Sequence, residues 1–206
     1  MAKQKAFYFD SSRCSGCKTC QIACKDKHNL HNNIKWRKVY EVCGGEWIKN
    51  DHTWTSNIGA YNVSLACNHC QDPICLKSCP NKAIYKTEEG VVLIDQSKCM
   101  GCQYCAWACP YDALTLDQEK GVMTKCTMCY DYLEEGKLPA CVAACPMRVI
   151  ETGDLEELQS KYGKHANVFP LPPVHHTRPS IVIKKHPSAS ESKDWKIINQ
   201  EEVKNA

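Results

Sequence analysis

The sequence predicts an α+β fold made of two small intertwined modules, a β insertion and an extended C-terminal arm. Three observations predict it. Cysteines recur in four runs of four. Short apolar stretches on both sides of residues 88–90 and of residues 119–121 predict two β-hairpins. From Phe169 onward the chain is punctuated by Pro170, Pro172, Pro173, Pro179 and Pro187, which predicts an extended segment that does not pack as a core.

The composition excludes several classes of protein. Only 43% of the 206 residues are hydrophobic and only three are Phe, which is little for a core of this size. Seventeen cysteines would make up the shortfall if they bind metal. An odd number leaves one thiol unpaired in a disulfide scaffold, and such scaffolds are usually shorter. No stretch approaches the roughly 18 apolar residues of a membrane span, and the N-terminus lacks a signal-peptide core and a twin-arginine pair.

The third cysteine run organises the chain. Cys99, Cys102, Cys105 and Cys109, followed by Pro110, have the spacing C-x2-C-x2-C-x3-C-P. This is the spacing of a bacterial ligand run for [4Fe-4S] clusters. In such runs the first three thiolates bind one cluster and the fourth thiolate binds the second cluster of a pair. The run therefore predicts a partner run elsewhere in the chain.

Three further runs supply the partners. Their members are Cys14, Cys17, Cys20 and Cys24; Cys67, Cys70, Cys75 and Cys79; and Cys126, Cys129, Cys141 and Cys145. In the first run Lys25 stands where the motif has proline, which is a small departure. The second and third runs are neighbours, and the first and fourth runs bracket them, so the two ligand pairs are nested along the chain.

This nesting predicts the domain organisation. Residues 1–33 and 112–152 form the first ferredoxin-like module, and residues 67–111 form the second. Residues 34–66 contain no ligand run but several aromatic side chains, and they are predicted to be a strand insertion. Residues 153–206 are predicted to be a short helix followed by the C-terminal arm.

The crossed ligation rule assigns four clusters. The sets are Cys14, Cys17, Cys20 and Cys145 for the first cluster; Cys24, Cys126, Cys129 and Cys141 for the second; Cys67, Cys70, Cys75 and Cys109 for the third; and Cys79, Cys99, Cys102 and Cys105 for the fourth. Cluster loading should be a condition of folding, because the sets join distant parts of the chain. Four oxidised clusters of about −2 each would change the net charge of +3 to about −5. The basic excess is therefore not a nucleic-acid footprint.

Structural zinc is the main alternative, because C-x2-C pairs also form zinc ribbons. Zinc sites use pairs, however, whereas the first and third runs have three equally spaced thiolates and a fourth. Cys43, the seventeenth cysteine, is interpreted as a buried or spare thiol. His69 lies between two ligands and either tunes a cluster through a hydrogen bond or packs in the loop. The lysines that flank ligands either moderate cluster charge or are solvated; they are Lys18, Lys77, Lys98 and Lys125.

Local signals predict the remaining elements. Residues 5–9 are predicted to be an edge strand that leads into the first run. Helical segments are predicted at residues 22–27, at residues 130–136 with a glycine end, and at residues 154–162 with Asp154 as N-cap. Residues 180–183 are predicted to be an added strand within the arm.

No motif for substrate chemistry is present. The sequence lacks a nucleophile–base motif, a phosphate loop and a dinucleotide fingerprint. Iron with four thiolate ligands is coordinatively closed, so four such clusters predict electron transfer rather than transformation of a substrate. The chain would then take up electrons at one end and release them at the other.

The sequence also resembles a known family. The segment RCSGCKTC at residues 13–20, residues 70–73 within the second run, the x11 spacing of the fourth run and residues 170–175 of the arm resemble the electron-transfer subunits of molybdopterin oxidoreductases. The resemblance covers essentially the whole chain. The arm and residues 44–47 favour the branch formed by the iron–sulfur B subunits of anaerobic dimethyl sulfoxide reductases.

The resemblance implies a complex of three parts. A molybdopterin catalytic subunit reduces the substrate, an integral membrane anchor oxidises menaquinol, and this chain relays electrons between them. It implies a peripheral position on the bacterial cytoplasmic membrane, at the periplasmic face after export with a partner that bears a twin-arginine signal. Nitrate reductase relatives have Trp at the position of Cys102 and hold a three-iron cluster there, so Cys102 implies four [4Fe-4S] clusters.

Two alternatives to this assignment are open. The same role in a thiosulfate, polysulfide, tetrathionate or selenate reductase, or in a formate dehydrogenase, changes only the partner. A free soluble ferredoxin is the other alternative. The long arm and the aromatic insertion, which resemble docking surfaces, weigh against it.

Overall fold

The computed structural model describes residues 3–173, 175, 177–190 and 194–204, and it consists of short helices and strands in small sheets. The helices are α1 Thr19–His28, α2 Ile74–Lys77, α3 Tyr104–Ala108, α4 Tyr130–Glu134, α5 Ala140–Ala143, α6 Leu155–Tyr162 and α7 Gln200–Val203. The strands are β1 Lys5–Asp10, β2 Lys38–Gly44, β3 Trp47–Asn50, β4 Thr53–Ser56, β5 Gly59–Leu65, β6 Ile84–Lys86, β7 Val92–Ile94, β8 Leu114–Asp117, β9 Val122–Lys125, β10 Ile150–Asp154, β11 Ile181–Lys184 and β12 Lys196–Ile197. This mixture confirms the α+β class. Within the described ranges, no helix is long and apolar enough to cross a membrane.

The strand β1 is the centre of a three-stranded sheet. It pairs antiparallel with β10 and parallel with β11, so that Phe7 lies between Thr152 and Ile181. The prediction of an edge strand was therefore wrong. A run of consecutive apolar residues is typical of a strand that is covered on both faces, and residues 6–10 are all buried.

The C-terminal arm contributes to the core more than the sequence suggested. The added strand is confirmed as β11, and Ile181, Val182 and Ile183 are at most 4% exposed. The prediction that the proline-punctuated tail does not pack as a core was wrong for this segment, because its short apolar run occupies the open edge of β1. Further along, β12 pairs with β2 and places Ile197 opposite Val42.

The strands predicted within residues 34–66 are confirmed. The long strands β2 and β5 pair antiparallel, from Lys38 opposite Leu65 to Gly44 opposite Gly59. The hairpin of β3 and β4 connects the end of β2 to the start of β5, and both of its strands are exposed along their whole length.

Both predicted hairpins are also confirmed. The strands β6 and β7 pair with Ile84 opposite Ile94, and β8 and β9 pair with Leu114 opposite Lys125. The turn of the first hairpin requires a left-handed backbone at Gly90, which has a φ of +82°. The two hairpins place their apolar faces in one core, together with cysteines from the second and third runs.

The helix α6 is confirmed close to its predicted bounds. Asp154 occupies the N-cap position, but its side chain forms no cap hydrogen bond. Its carboxylate instead lies 3.2 Å from the Lys5 ammonium. At the other end of the helix, the Tyr162 ring stacks on Tyr8 with centroids 3.7 Å apart. Contacts with Lys5 and Tyr8, both on β1, thus hold the two ends of the helix against the three-stranded sheet.

Asp10, at the end of β1, is a buried carboxylate with several donors. It is 2% exposed and accepts hydrogen bonds from the Ser12 amide at 2.9 Å and from Arg13 and Lys184 at 3.2 and 3.3 Å. We expect Asp10→Asn to lower the free energy of unfolding by about 1.5–3 kcal/mol, the range for hydrogen bonds to a charged group. The midpoint of denaturant-induced loss of the visible absorbance, measured without oxygen, would report the change.

The pH dependence of this effect follows from the pKa of Asp10. Burial pushes the pKa up, but hydrogen bonds from Ser12 and Lys184 outweigh burial and hold the pKa below 3.8. A carboxylate whose pKa is lower in the folded chain than in the unfolded chain stabilises the fold at pH values above its ordinary pKa. This stabilisation is lost as the pH falls from the ordinary pKa through the lowered one. The difference between the wild-type protein and the variant should therefore be the same at pH 7 and pH 5. A difference that shrinks between those two values would contradict the lowered pKa.

Candidate iron–sulfur sites

The first predicted ligand set surrounds one cavity. Cys14, Cys17, Cys20 and Cys145 line a space of about 300 Å³. The first two precede α1, Cys20 lies in its first turn, and Cys145 follows α5. The cavity is thus closed by two segments that are far apart in sequence.

The third and fourth predicted sets each surround a cavity of similar size. The volumes are about 340 and 330 Å³. Cys67, Cys70, Cys75 and Cys109 line one cavity, and Cys79, Cys99, Cys102 and Cys105 line the other. In both cases the last cysteine of one run joins three cysteines of the neighbouring run, as crossed ligation requires.

The second predicted set forms the most buried group. Cys24, Cys126, Cys129 and Cys141 are all classed as buried. Burial raises the pKa of Cys24, and the negative charges that add to this effect include Cys126, Cys141 and Cys129. The structure therefore places twelve of the sixteen cysteines around three cavities, four at each, and the four cysteines of the second set are buried within reach of one another's charge. Their role as ligands is taken up under the proposed function.

The first and third runs share one local backbone geometry. Gly16 and Gly101 precede the second cysteine of their runs, with φ of +70° and +69°. A Cβ at Gly101 would also meet the carbonyl oxygen of Gly121 at 2.4 Å. Lys18 and Gln103 follow that cysteine in left-handed conformations and precede α1 and α3. Left-handed residues curve each loop around its cavity before the helix begins.

Several cysteines of the four groups have raised pKa values. Burial, followed by the charge of neighbouring cysteines, raises the pKa of Cys75 and Cys126 to about 12. Cysteines bind a metal as thiolates, so metal binding at these sites releases protons. Cys17 is exposed, and a hydrogen bond from the Thr19 hydroxyl at 3.4 Å lowers its pKa.

The cavities suit a cluster better than a single ion. Four-iron clusters are held by four Cys thiolates, which is the donor set of each group. A zinc ion requires its sulfur ligands to converge to about 2.3 Å from one point. In the described part of the chain, no three His, Cys, Asp or Glu side chains converge in a way that could hold one metal ion.

Each group adjoins the next one in the numbering. The first group adjoins the second, because the charge of Cys141 contributes, after burial, to the raised pKa of Cys20. The second adjoins the third, since Cys67 has the same effect on Cys126. Cysteines of the third and fourth groups pack in one core around Met123.

The flanking lysines differ in their environment. Three of them form ion pairs near the surface: Lys18 with Glu41 at 2.9 Å, Lys77 with Asp72 at 2.5 Å and Lys98 with Asp95 at 2.9 Å. Lys125 is 3% exposed, and its ammonium donates to the carbonyl oxygens of Val92 and Cys126. Of the four, Lys125 is therefore the one that brings a buried positive charge to the sulfur groups.

His69 is a buried, neutral side chain. Its Nδ1 accepts a hydrogen bond from the Val92 amide at 3.1 Å, so its proton lies on Nε2. Burial and the nearby Lys125 keep its pKa well below 6.5. Packing in the loop is confirmed, since the residue is 0% exposed. Whether Nε2 also tunes a cluster stays a prediction.

Two residues that the sequence analysis singled out lie outside the four groups. Cys43 lies on β2 opposite Ala60 and belongs to none of the groups. Lys25 replaces the motif proline and donates to the carbonyl oxygens at positions 31, 32 and 34, at 2.6, 3.1 and 2.9 Å. The ammonium thus holds the turn after α1, which accounts for a lysine at this position.

Sequence reasoning missed Arg37. This residue is 2% exposed and lies near cysteines of the first and second groups. It stands among Lys35 and Lys38, so it looks like part of a solvated basic stretch. The only local signal is its place directly before the apolar strand β2.

Comparison with known proteins supports the iron–sulfur assignment. Residues 59–155 match the family model of the 4Fe-4S dicluster domain. The chain is 47% identical to two proteins of Escherichia coli strain K12, the probable anaerobic dimethyl sulfoxide reductase subunit YnfG and the B subunit of anaerobic dimethyl sulfoxide reductase. Each match covers 98% of this chain and 100% of the relative.

A third relative agrees with these two. The B subunit of anaerobic dimethyl sulfoxide reductase from Haemophilus influenzae is 47% identical, over 93% of this chain and 94% of the relative. Identity at this level over the full length, together with the 4Fe-4S domain, defines the family. The protein belongs to the family of anaerobic dimethyl sulfoxide reductase B subunits, iron–sulfur electron-transfer subunits that are distinct from the catalytic subunit.

Proposed function

We propose that the protein binds four [4Fe-4S] clusters and relays electrons from a quinol-oxidising membrane anchor to a molybdopterin catalytic subunit that reduces dimethyl sulfoxide. The observation that carries the proposal is the set of three adjoining cavities lined by four cysteines each, with a fourth set of buried cysteines beside them. Full-length similarity to the B subunit of dimethyl sulfoxide reductase supports the choice of catalytic partner. The proposed ligands are the sixteen cysteines of the four predicted sets.

Bound clusters would supply one-electron transfer without any bond to a substrate. The residues of the chain hold the sulfurs in place, exclude water and provide compensating charge. The left-handed loops at Gly16 and Gly101 shape the ligand runs. Lys125 supplies a buried positive charge beside Val92 and Cys126, between the second and third groups.

The first and fourth groups are the proposed points of electron entry and exit. At the first group Cys17 is exposed, and Ile22 and Met147 are 60% and 44% exposed. At the fourth group Tyr104 and Trp107 are 52% and 74% exposed. Exposed apolar side chains beside a redox site are typical of a surface that a partner covers. A partner at each of these groups agrees with a relay between two other subunits.

The proposed location is peripheral, on the periplasmic face of the bacterial cytoplasmic membrane. The chain would reach it by export with a catalytic partner that bears a twin-arginine signal. A role in a thiosulfate, polysulfide, tetrathionate or selenate reductase, or in a formate dehydrogenase, is the alternative. It would use the same residues, because the substrate does not contact this chain.

The variant Cys102→Ser tests the relay in the assembled reductase. We expect the fourth cluster to become a three-iron form with a raised potential and a new signal in electron paramagnetic resonance of the oxidised protein. The equilibrium constant of the next transfer should fall about tenfold for each 59 mV of increase, so quinol-driven reduction of dimethyl sulfoxide should slow. The spectrum and the rate should be measured on the same purified complex.

Cys43→Ser is the matched control, because it makes the same chemical change outside the four groups. It should leave the spectrum and the rate as they are in the wild-type complex. A Cys102→Ser complex with an unchanged spectrum would contradict the ligand assignment. A changed spectrum with an unchanged quinol-driven rate would contradict the relay.

A further inference from the structure

Arg37 is a buried guanidinium directly before β2. Its Nη1 donates to the carbonyl oxygen of Ser64 at 3.4 Å and to Ser64 Oγ at 3.1 Å. Its Cζ lies 4.9 Å from the centroid of the Phe7 ring. An arginine keeps its charge in any folded protein, so this position holds a permanent buried cation.

The cysteine side chains around Arg37 belong to the first and second sulfur groups. Burial lowers the pKa of Arg37, but the charges of cysteines from both groups outweigh burial and raise it. These cysteines are Cys141, Cys20, Cys126 and Cys24. The first and second groups are also those joined by the contact between α1 and α5. Arg37 therefore lies where these two groups adjoin.

Two donors of Arg37 are unsatisfied by protein atoms. Its Nε and Nη2 are buried and have no hydrogen-bond partner among the described residues. A buried charge without partners costs several kcal/mol, so native proteins pair such groups. The sulfides and thiolates of bound clusters are acceptors of the required charge. Lys125 differs, because its ammonium already donates to two carbonyl oxygens.

Ser64 connects Arg37 to one ligand of the first group. Its Oγ accepts from Arg37 and lies 3.3 Å from Cys20 Sγ, and both of these residues are buried. Since the hydroxyl oxygen accepts from the guanidinium, its own proton is free to donate to the sulfur. Ser64 also lines the first cavity.

We infer that Arg37 sets the reduction potentials of the first and second clusters, with Ser64 as a positioning residue that carries part of the effect to Cys20. The inference rests on the proposed function, because it requires that the clusters are bound. Reduction adds one negative charge to a cluster. A fixed cation and its hydrogen bonds favour the more negative state, so they raise the potential. Arg37 would thereby keep two adjacent steps of the relay accessible to electrons from quinol.

Arg37→Gln in the purified complex tests the inference. Iron content is measured first, and the potentials of the clusters are then obtained by redox titration with electron paramagnetic resonance. Two of the four cluster signals should titrate at lower potential. At the wild-type midpoint potential, the ratio of reduced to oxidised cluster should be about tenfold smaller, which corresponds to a shift of about 59 mV for a one-electron couple. Arg37→Lys keeps the charge and should restore part of the shift.

Two further variants separate a specific role from a structural one. Arg178→Gln removes an exposed arginine outside the first and second groups and should shift neither of their signals. Ser64→Ala should lower the potential of the first cluster alone, and Ser64→Thr should restore it. Full iron loading of Arg37→Gln with four unchanged potentials would overturn the inference.

The variants also distinguish this inference from the proposed function. If Arg37→Gln does not load iron, Ser64→Ala decides, and an unchanged first signal would overturn the role of the Arg37–Ser64 pair. A wild-type complex that lacks iron–sulfur signals would instead overturn the proposed function. Potentials that stay constant in a fully loaded protein count against Arg37 alone.

Discussion

Replacing Cys14 and Cys145 together with alanine should remove one cluster and leave about twelve irons per chain, because crossed ligation places both residues on one four-iron cluster. The two residues line the same cavity although they lie at opposite ends of the cysteine pattern. Each single variant should change the same signal in electron paramagnetic resonance. The double variant should remove that signal and leave the other three unchanged.

The alternative pairing gives a different result. If each run bound its own cluster, Cys14 and Cys145 would belong to two clusters, and the double variant would alter two signals. Two altered signals would therefore contradict the crossed assignment. Cys43→Ala is the matched control and should retain about sixteen irons. Iron content and spectra should be measured on the same samples.

Removing all clusters should unfold most of the chain. Buried cysteines of the ligand groups are part of two apolar clusters of the fold: Cys20 and Cys126 lie in one, and Cys75 lies in the other. Without iron these sulfurs border cavities of about 300–340 Å³ instead of bound metal. Binding to a site that the unfolded chain lacks stabilises the fold. The loss should approach the whole free energy of unfolding, about 5–15 kcal/mol for a typical domain.

Far-ultraviolet circular dichroism and limited proteolysis would report this loss. The clusters should be removed by oxidation in the presence of a chelator and then compared with chelator alone under reducing conditions. The chelator alone should leave the spectrum unchanged. A cluster-free chain with an unchanged far-ultraviolet spectrum and unchanged resistance to protease would contradict the coupling of cluster loading to folding.

The groups of cysteines were the most predictable feature. The spacing of each run is a local property, and Gly16 and Gly101 produce the same loop in two runs. The hairpins β6–β7 and β8–β9 were predictable for the same reason, because each is formed by neighbouring residues around a turn.

Features that depend on distant partners were not predictable in this way. β1 looked like an edge strand because its second neighbour, β11, lies near the other end of the chain. Arg37 had little local signal because its burial depends on Phe7 and Ser64, which are remote in sequence. Lys38, one residue later, is also buried and pairs with Asp112 at 2.5 Å.

The most direct test of the account is the metal content of the native complex. The tagged chain should be isolated from membranes in mild detergent without oxygen, and iron, sulfide, zinc and molybdenum should be quantified per chain. We predict about sixteen irons and sixteen sulfides from this chain, molybdenum from a co-purifying catalytic subunit, and no stoichiometric zinc. Zinc in place of iron, or iron for fewer than four clusters in an intact complex, would contradict the account.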